Sequence, residues 1–336
     1  MKLPALLTSD LHLTDNPRDE YRWGIWKWLD EQNADGYFKT LVILGDLTDA
    51  KDYHSAALVN RMVRALHGAS KRYERIIILM GNHDYLKAGS VFFEFLGAMN
   101  DRVRFITKPT TVDEDDKGLL AFFLPHSKNP TKDWAEFDFS HYDALFLHQT
   151  VTGAIASNGQ KMEGESMPPL NAGRVFSGDI HVPQKIGPVE YVGSPYHVHF
   201  GDSFEPRCIE LDRNGKAHDL HFETIRRVAV RVKNLRELRA LEWGEGDQAK
   251  IKLVLSQADA HAWAKLKREI RDWLLKQGVT VEGIELELER TRRRLLEPGQ
   301  PSPRSGPLSD PDAILAFVEA EDLGAEAYDV AMEILK

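Results

Sequence analysis

Cysteine is almost missing from this chain. Its 336 residues include one, Cys208, which excludes an internal disulfide and an all-cysteine zinc cage. A reducing compartment fits, so a cytoplasmic location is expected. Long apolar runs are missing too. None approaches the roughly 18 residues of a membrane span, and the opening MKLPALLTSD turns polar too soon for a secretory signal. No membrane partner is expected. Basic charge is in deficit, with 43 Lys+Arg against 52 Asp+Glu and a net charge of −9. That argues against a nonspecific coat on nucleic acid. The deficit is uneven: 23 basic against 30 acidic residues over 1–214, 18 against 14 over 215–297, and 2 against 8 over 298–336. Bound divalent cations would offset an acidic first part. The mildly basic middle is the better candidate for touching phosphates.

What the chain does have is short apolar runs that stop abruptly at polar residues. The run at 76–80 (IIILM) predicts a strand buried on both faces. Gly81 ends it, and Asn82, His83 and Asp84 follow. Open α/β sheets place their chemistry at such strand ends. Asn82 offers a carbonyl oxygen to a metal, His83 can move a proton near neutral pH, and Asp84 is expected to orient that ring. Residues 3–9 end in Asp10 and His12, two apart and so on one side of extended backbone. Residues 40–44 end in Gly45 and Asp46, whose two oxygens could bridge two cations. Asp49 is expected to anchor the turn or a neighbouring histidine. The strand at 144–147 ends in His148, and that at 174–177 in Asp179 and His181. Each alone is as well explained by a turn. Five in succession at strand ends are not explained by core packing.

Other features read more plainly. Trp23, Trp26 and Trp28 sit in a predicted helix over 18–32 and belong to its packed face rather than to base stacking. His54 and His67 fall in a predicted helix over 53–67 as surface or packing residues. Asp113 to Asp116 read as a solvated turn. Residues 153–173, rich in Gly, Ser, Pro and Asn, form a long loop. His197 and His199 alternate in a strand-like stretch, which makes them candidate substrate contacts.

Together the strand-end residues suit a two-metal hydrolase. One ion would take Asp10, His12 and His181, the other Asn82, His148 and Asp179, with Asp46 between them. Two cations about 3.5–4 Å apart activate a shared water and stabilise the attacking and leaving oxygens of a phosphoryl group. His83 would stay free to stabilise the transition state or protonate the leaving oxygen. Nitrogen and oxygen ligands without thiolates suit Mn²⁺, Fe or Zn²⁺ better than Ca²⁺.

The ordered set D-x-H, GD, GNHD, a lone His and G-D-x-H resembles the calcineurin-like metallophosphoesterases. That likeness implies an α/β fold, a two-sheet sandwich flanked by helices. GDIHVPQ, EYVGSP and HFGD are similar to the SbcD-type nuclease subunits of complexes that process DNA double-strand breaks, phage versions included. The branch implies a nuclease domain over 1–214, an α+β capping domain that contacts DNA over 215–296, and a homodimer. In the last stretch the sequence reads strands in FETIRRVAVRV, AKIKLVLS and VTVEGIELEL, and a helix stopped by Gly278. Asp179 stands where the family usually has His, which shifts preference toward harder ions such as Mn²⁺ or Mg²⁺, or costs the second ion. Residues 297–309 read as a linker, and 310–336 as a helical pair. The resemblance implies that this pair binds an SbcC-like coiled-coil ATPase, an apolar helical face in a groove.

Three functions compete. One is a Mn²⁺-dependent DNA exonuclease or endonuclease subunit in DNA recombination and repair. A second is a stand-alone phosphodiesterase or phosphatase on small substrates. The third is a non-catalytic DNA-end-binding scaffold whose site Asp179 impairs.

Overall fold

The first strand, β1 (Ala5–Thr8), is buried at all four residues, and so is β2 (Thr40–Ile43). Between them a 3₁₀ turn at Pro17–Trp23 runs into α1 (Gly24–Gln32). The helix expected over 18–32 is thus two elements. Asn16 caps the 3₁₀ turn by accepting from Arg18 N, and Pro17 starts it. Helix α2 (Ala56–Ala69) starts at Ser55, whose hydroxyl accepts from Leu58 N at 3.0 Å. It leads into β3 (Arg75–Leu79).

A two-stranded ribbon, β4 (Tyr85–Lys87) and β5 (Ser90–Val91), precedes a short helix α3 (Leu96–Met99) and β6 (Val103–Ile106). Then come β7 (Thr110–Val112), β8 (Ala121–Leu124), the single turn α4 (Pro130–Asp133), β9 (Ala144–His148) and β10 (Val175–Gly178). Strands β11 (Gln184–Ile186), β12 (Val189–Tyr191), β13 (Cys208–Leu211) and β14 (Ala217–Leu220) follow. The chain continues with β15 (Arg227–Val232), α5 (Leu235–Arg239), β16 (Gln248–Leu255), α6 (Trp263–Lys276) and β17 (Thr280–Leu288).

These elements come from a computed structural model that describes residues 1–87, 90–112 and 118–289. The acidic turn at Asp113–Asp116, the linker at 297–309 and the helical pair at 310–336 lie outside the described residues.

Two six-stranded sheets face each other. One has the order β14-β13-β1-β2-β3-β6, the other β11-β12-β10-β9-β8-β7. Strands β1, β2, β3 and β6 of the first sheet run parallel, as do β12, β10, β9 and β8 of the second. Antiparallel strands close the β14 edge of the first and both edges of the second. Alternation along the strands explains why their sequences are apolar throughout. Ala5, Leu7, Ile77, Leu79, Phe123 and Phe146 fill the layer between the sheets. Leu6, Ile76 and Ile78 point to the α1/α2 side, and Phe122, Leu145 and Leu147 to the far side. Each such side chain contributes about 1.5–3 kcal/mol by leaving water. The two-sheet sandwich with flanking helices expected from the sequence is the fold found.

A third sheet, β15-β16-β17, is all parallel and carries α6 on a core of its own, with Val232, Ile251, Leu253, Ile270 and Leu274. Gly278, at φ +75°, follows the end of α6 and turns the chain into β17. Residues Met1–Leu288, this sheet included, form one compact unit. Among the described residues no helix is long and apolar enough to cross a membrane.

Candidate metal centre

Parallel strands carry the chain in one direction, so their C-terminal ends meet at one edge of the sandwich. Asp10 and His12 follow β1, Asp46 follows β2, Asn82 to Asp84 follow β3, His148 ends β9, and Asp179 and His181 follow β10. Four of these residues adopt the left-handed backbone that L-residues avoid: Asp10 (φ 53°), His12 (φ 42°), Asp46 (φ 53°) and Asp179 (φ 83°). Such conformations cost about 1–3 kcal/mol each and persist only where the surroundings enforce them. Here backbone pairing between neighbouring loops does so, with Asp10 N donating to Gly45 O at 3.2 Å and His12 N to Asp46 O at 2.9 Å.

The side chains converge in overlapping groups. Asp10, His12 and His181 bring potential ligand atoms within 4.8 Å of one another, and so do Asp10, Asp46 and His148. His12 Nε2 lies 3.0 Å from His181 Nε2. Asp46 faces both ways, its Oδ2 3.6 Å from His12 Nε2 and its Oδ1 3.5 Å from His148 Nε2. Asp179 Oδ1 is 3.7 Å from His148 Nε2 and accepts from Asn82 Nδ2 at 3.0 Å. His12, Asp46 and His83 form a further group of the same kind, so His83 stands beside the first position rather than apart from it.

Several observations fit these residues to divalent cations. His148 Nδ1 sits 2.6 Å from Leu44 O and must donate to it, which in the neutral ring leaves Nε2 a bare acceptor facing two carboxylates. That nitrogen is buried without a hydrogen-bond partner, as is Asn82 Oδ1. Buried acceptors with nothing to accept from are costly. The glycines at the strand ends leave room for close approach. A Cβ on Gly81 would fall on the Asp46 carboxylate and lie 2.6 Å from the Asp46 backbone nitrogen, and one on Gly45 would strike the His148 ring.

The electrostatics agree. Burial pushes the Asp10 carboxyl up to about 7, and burial with Asp84 close by pushes Asp46 well above the usual carboxylate range. Burial lowers His12 to about 4 and His181 to about 3. Both kinds of group are held toward their neutral forms. A cation would reward ionised carboxylates and bare imidazoles together.

Some sequence expectations need correction. Asp84 does not orient the His83 ring. Its Oδ2 accepts from Gly81 N at 2.8 Å and Asp46 N at 2.9 Å, so it ties the β2 and β3 turns together. The carbonyl of Asp49 holds His83, 2.5 Å from Nδ1, and the Asp49 carboxylate lies 3.4 Å from His12 Nδ1. Asp49 is thus the anchor of neighbouring histidines that the sequence suggested.

His197 and His199 are not on a strand. His197 is buried, with Nε2 2.9 Å from Phe204 O and its ring against Phe204, so it does not face substrate. His199 is exposed, stacks on His181 at 5.3 Å and lines the cleft. His54 contacts Thr48 and stacks against Phe92, a packing role as expected.

His126 was missed by sequence reasoning. It lies 6.4 Å from the His148 ring, lines the cleft, and is lowered to about 4 by burial. It too follows a strand, β8, but Pro125 intervenes and hides the strand-end signature.

The centre opens into a cleft of about 560 Å³ lined by Asn82, Lys128, Thr150, Glu165, Asp179 and His199, among others. The loop expected over 153–173 supplies one wall through residues such as Ser157, Met162 and Gly164. The clustered Asp and His residues form a candidate divalent-metal site by geometry, orphaned acceptors and charge.

Residues 3–183, more than half of the chain, match the calcineurin-like phosphoesterase family. A search of the curated proteins found no match. The matched span holds every strand end that brings a residue to the metal centre, and the chain belongs to the calcineurin-like phosphoesterase family.

Proposed function

We propose that this metal-dependent phosphoesterase is a DNA nuclease subunit that hydrolyses phosphodiesters, with Mn²⁺ as its working ion. The observation that carries the hydrolytic reading is Asp46 lying between two His/Asp groups, with one oxygen toward His12 and the other toward His148. Asp10, His12 and His181 would hold one ion, Asn82, His148 and Asp179 the other, with Asp46 shared. Such ions supply a water acidified toward neutral pH and positive charge for the phosphoryl oxygens. The oxygen-rich second position, with Asp179 and Asn82 beside one imidazole, favours a hard ion such as Mn²⁺ or Mg²⁺ over Zn²⁺ or Fe.

The chain's own residues do the rest. His83 donates Nδ1–H to the Asp49 carbonyl, which leaves Nε2 to exchange a proton with the leaving oxygen. Thr150 donates to Asp179 Oδ2 and fixes that carboxylate. His199 lines the cleft wall and would meet the substrate's phosphate.

Support for DNA comes from sequence likeness and from surface charge. The stretches GDIHVPQ, EYVGSP and HFGD resemble those of SbcD-type nucleases. The third-sheet module exposes Lys250 and Lys252, charges suited to a phosphate backbone. The same likeness implies an SbcC-like ATPase bound through residues 310–336 and a second copy of the chain as partners.

The test is end-labelled duplex DNA with Mn²⁺, beside EDTA and a His83→Ala variant. Loss of label in the wild type alone is expected. Undegraded DNA with the ATPase and ATP present, alongside turnover of a chromogenic diester, would make it a small-substrate phosphodiesterase instead.

A further inference from the structure

Arg22 is 3 % exposed, and a buried guanidinium persists only among acceptors that satisfy it. Its Nη1 donates to the His12 carbonyl at 2.5 Å and its Nη2 to the Val198 carbonyl at 3.1 Å. Nε donates to Tyr21 Oη at 3.2 Å, and Nη2 lies 3.3 Å from Asp19 Oδ1. Arg227, the first residue of β15, uses two of the same partners. Its Nη1 donates to Val198 O at 2.6 Å and lies 3.4 Å from Asp19 Oδ1, while its guanidinium sits 4.2 Å over the Phe200 ring. Contacts therefore run unbroken from β15 of the third sheet, through Asp19 and Val198, to the backbone of His12.

His12 is the residue that needs such a brace. At φ 42° its backbone is strained. Asp46 O holds its amide at 2.9 Å, and Arg22 holds its carbonyl. Were the peptide after His12 to relax, the Cα–Cβ bond would swing and Nε2 would leave its place 3.0 Å from His181 Nε2. Residues that orient a ligand without touching the metal typically alter affinity about 10–100-fold.

We propose that Arg22, braced by Asp19 and Arg227, is a positioning residue that fixes the backbone of His12. It thereby sets the affinity of the Asp10–His12–His181 group for a divalent cation. The inference rests on the reading of that group as a cation site. Arg22 acts through His12 and meets no reacting atom. Arg227 makes the docking of the third sheet part of the same support.

The test titrates Mn²⁺ into the full-length protein and follows the free ion by electron paramagnetic resonance. Thermal melts, and kcat and KM on a chromogenic phosphodiester, accompany it. The set is wild type, Arg22→Lys, Arg22→Ala, Arg227→Ala and Arg226→Ala. Arg226 pairs with the buried Asp247 at 2.7 Å inside the third-sheet module, so its loss controls for destabilisation alone. Arg22→Ala is expected to weaken one bound ion about tenfold or more. Arg227→Ala should weaken it less, and Arg22→Lys should recover part of the loss. Arg226→Ala should lower the melting temperature with affinity unchanged.

Wild-type affinity in both Arg22→Ala and Arg227→Ala overturns the inference, as does an equal loss in Arg226→Ala. If Arg22→Ala does not fold, unchanged affinity in Arg22→Lys and Arg227→Ala overturns it. Failure of the wild type to bind Mn²⁺ would remove the cation reading itself. Binding that ignores the variants removes only the role of Arg22.

Discussion

Asp46 shows how much chemistry one residue concentrates. Its carboxylate takes the His83 amide at 2.9 Å while facing His12 and His148, and its amide is tied down by Asp84. Asp46→Asn keeps this shape but loses the shared negative charge. Diester turnover is expected to fall at least about 10²-fold with a melting temperature close to wild type. Asp10 gives a pH prediction. In the metal-free protein its carboxyl is held at about 7 by burial, so below pH 7 it carries a proton that a metal must displace. Calorimetry in buffers of different ionisation enthalpy should find protons released on Mn²⁺ binding at pH 6. Release should be smaller at pH 8, where Asp10 is already ionised. Equal release at the two pH values would count against Asp10 as a ligand. The residue-level roles that sequence reading missed or misplaced were those set by rotamer and neighbour. D-x-H and GNHD name the residues, but whether Asp84 reaches His83 or the amide of Asp46 depends on how two turns from different strands pack.

At the scale of elements, boundaries follow local chemistry. Ser55 starts α2, and Ser55→Ala should cost about 1 kcal/mol in a denaturant melt without changing diester hydrolysis, since α2 carries no residue of the centre. Strands buried on both faces were legible as uninterrupted apolar runs, and β1, β2, β3, β9 and β10 lie within about two residues of where the runs placed them. The expected strand through His197 and His199 is instead a turn region. Asp202 Oδ2 accepts from the amides of Val198 and His199 at 2.9 and 2.8 Å, which curls the chain and buries His197. Alternation of polar and apolar residues fits a turn packed on a core as well as a strand. The edge strands β7 and β11 were not expected, because three half-buried residues give too short a pattern.

For the molecule as a whole, the centre is a seam between the two sheets, so a cation that binds it ties them together. Saturating Mn²⁺, at about a hundredfold over Kd, should raise stability by about 2.7 kcal/mol and the melting temperature by on the order of 5 °C, and EDTA should reverse this. A melt indifferent to Mn²⁺ would argue against a site that spans the seam. The third sheet extends this logic, because Arg227 and Gln248 reach back to the sandwich through Val198 O and Arg18 O at 2.6 Å each.

The sequence by itself determined the strands buried on both faces, their polar ends and thus the donor set of the centre, because backbone pattern and residue chemistry are local properties. Only the tertiary structure decided which donors lie within reach of one another, that Asp49 rather than Asp84 holds His83, that His126 joins the cleft, and that Arg22 donates to the His12 carbonyl. Those relations join residues far apart in the chain, and the packing of the two sheets, with the third sheet behind Arg227, is what brings them within bonding distance.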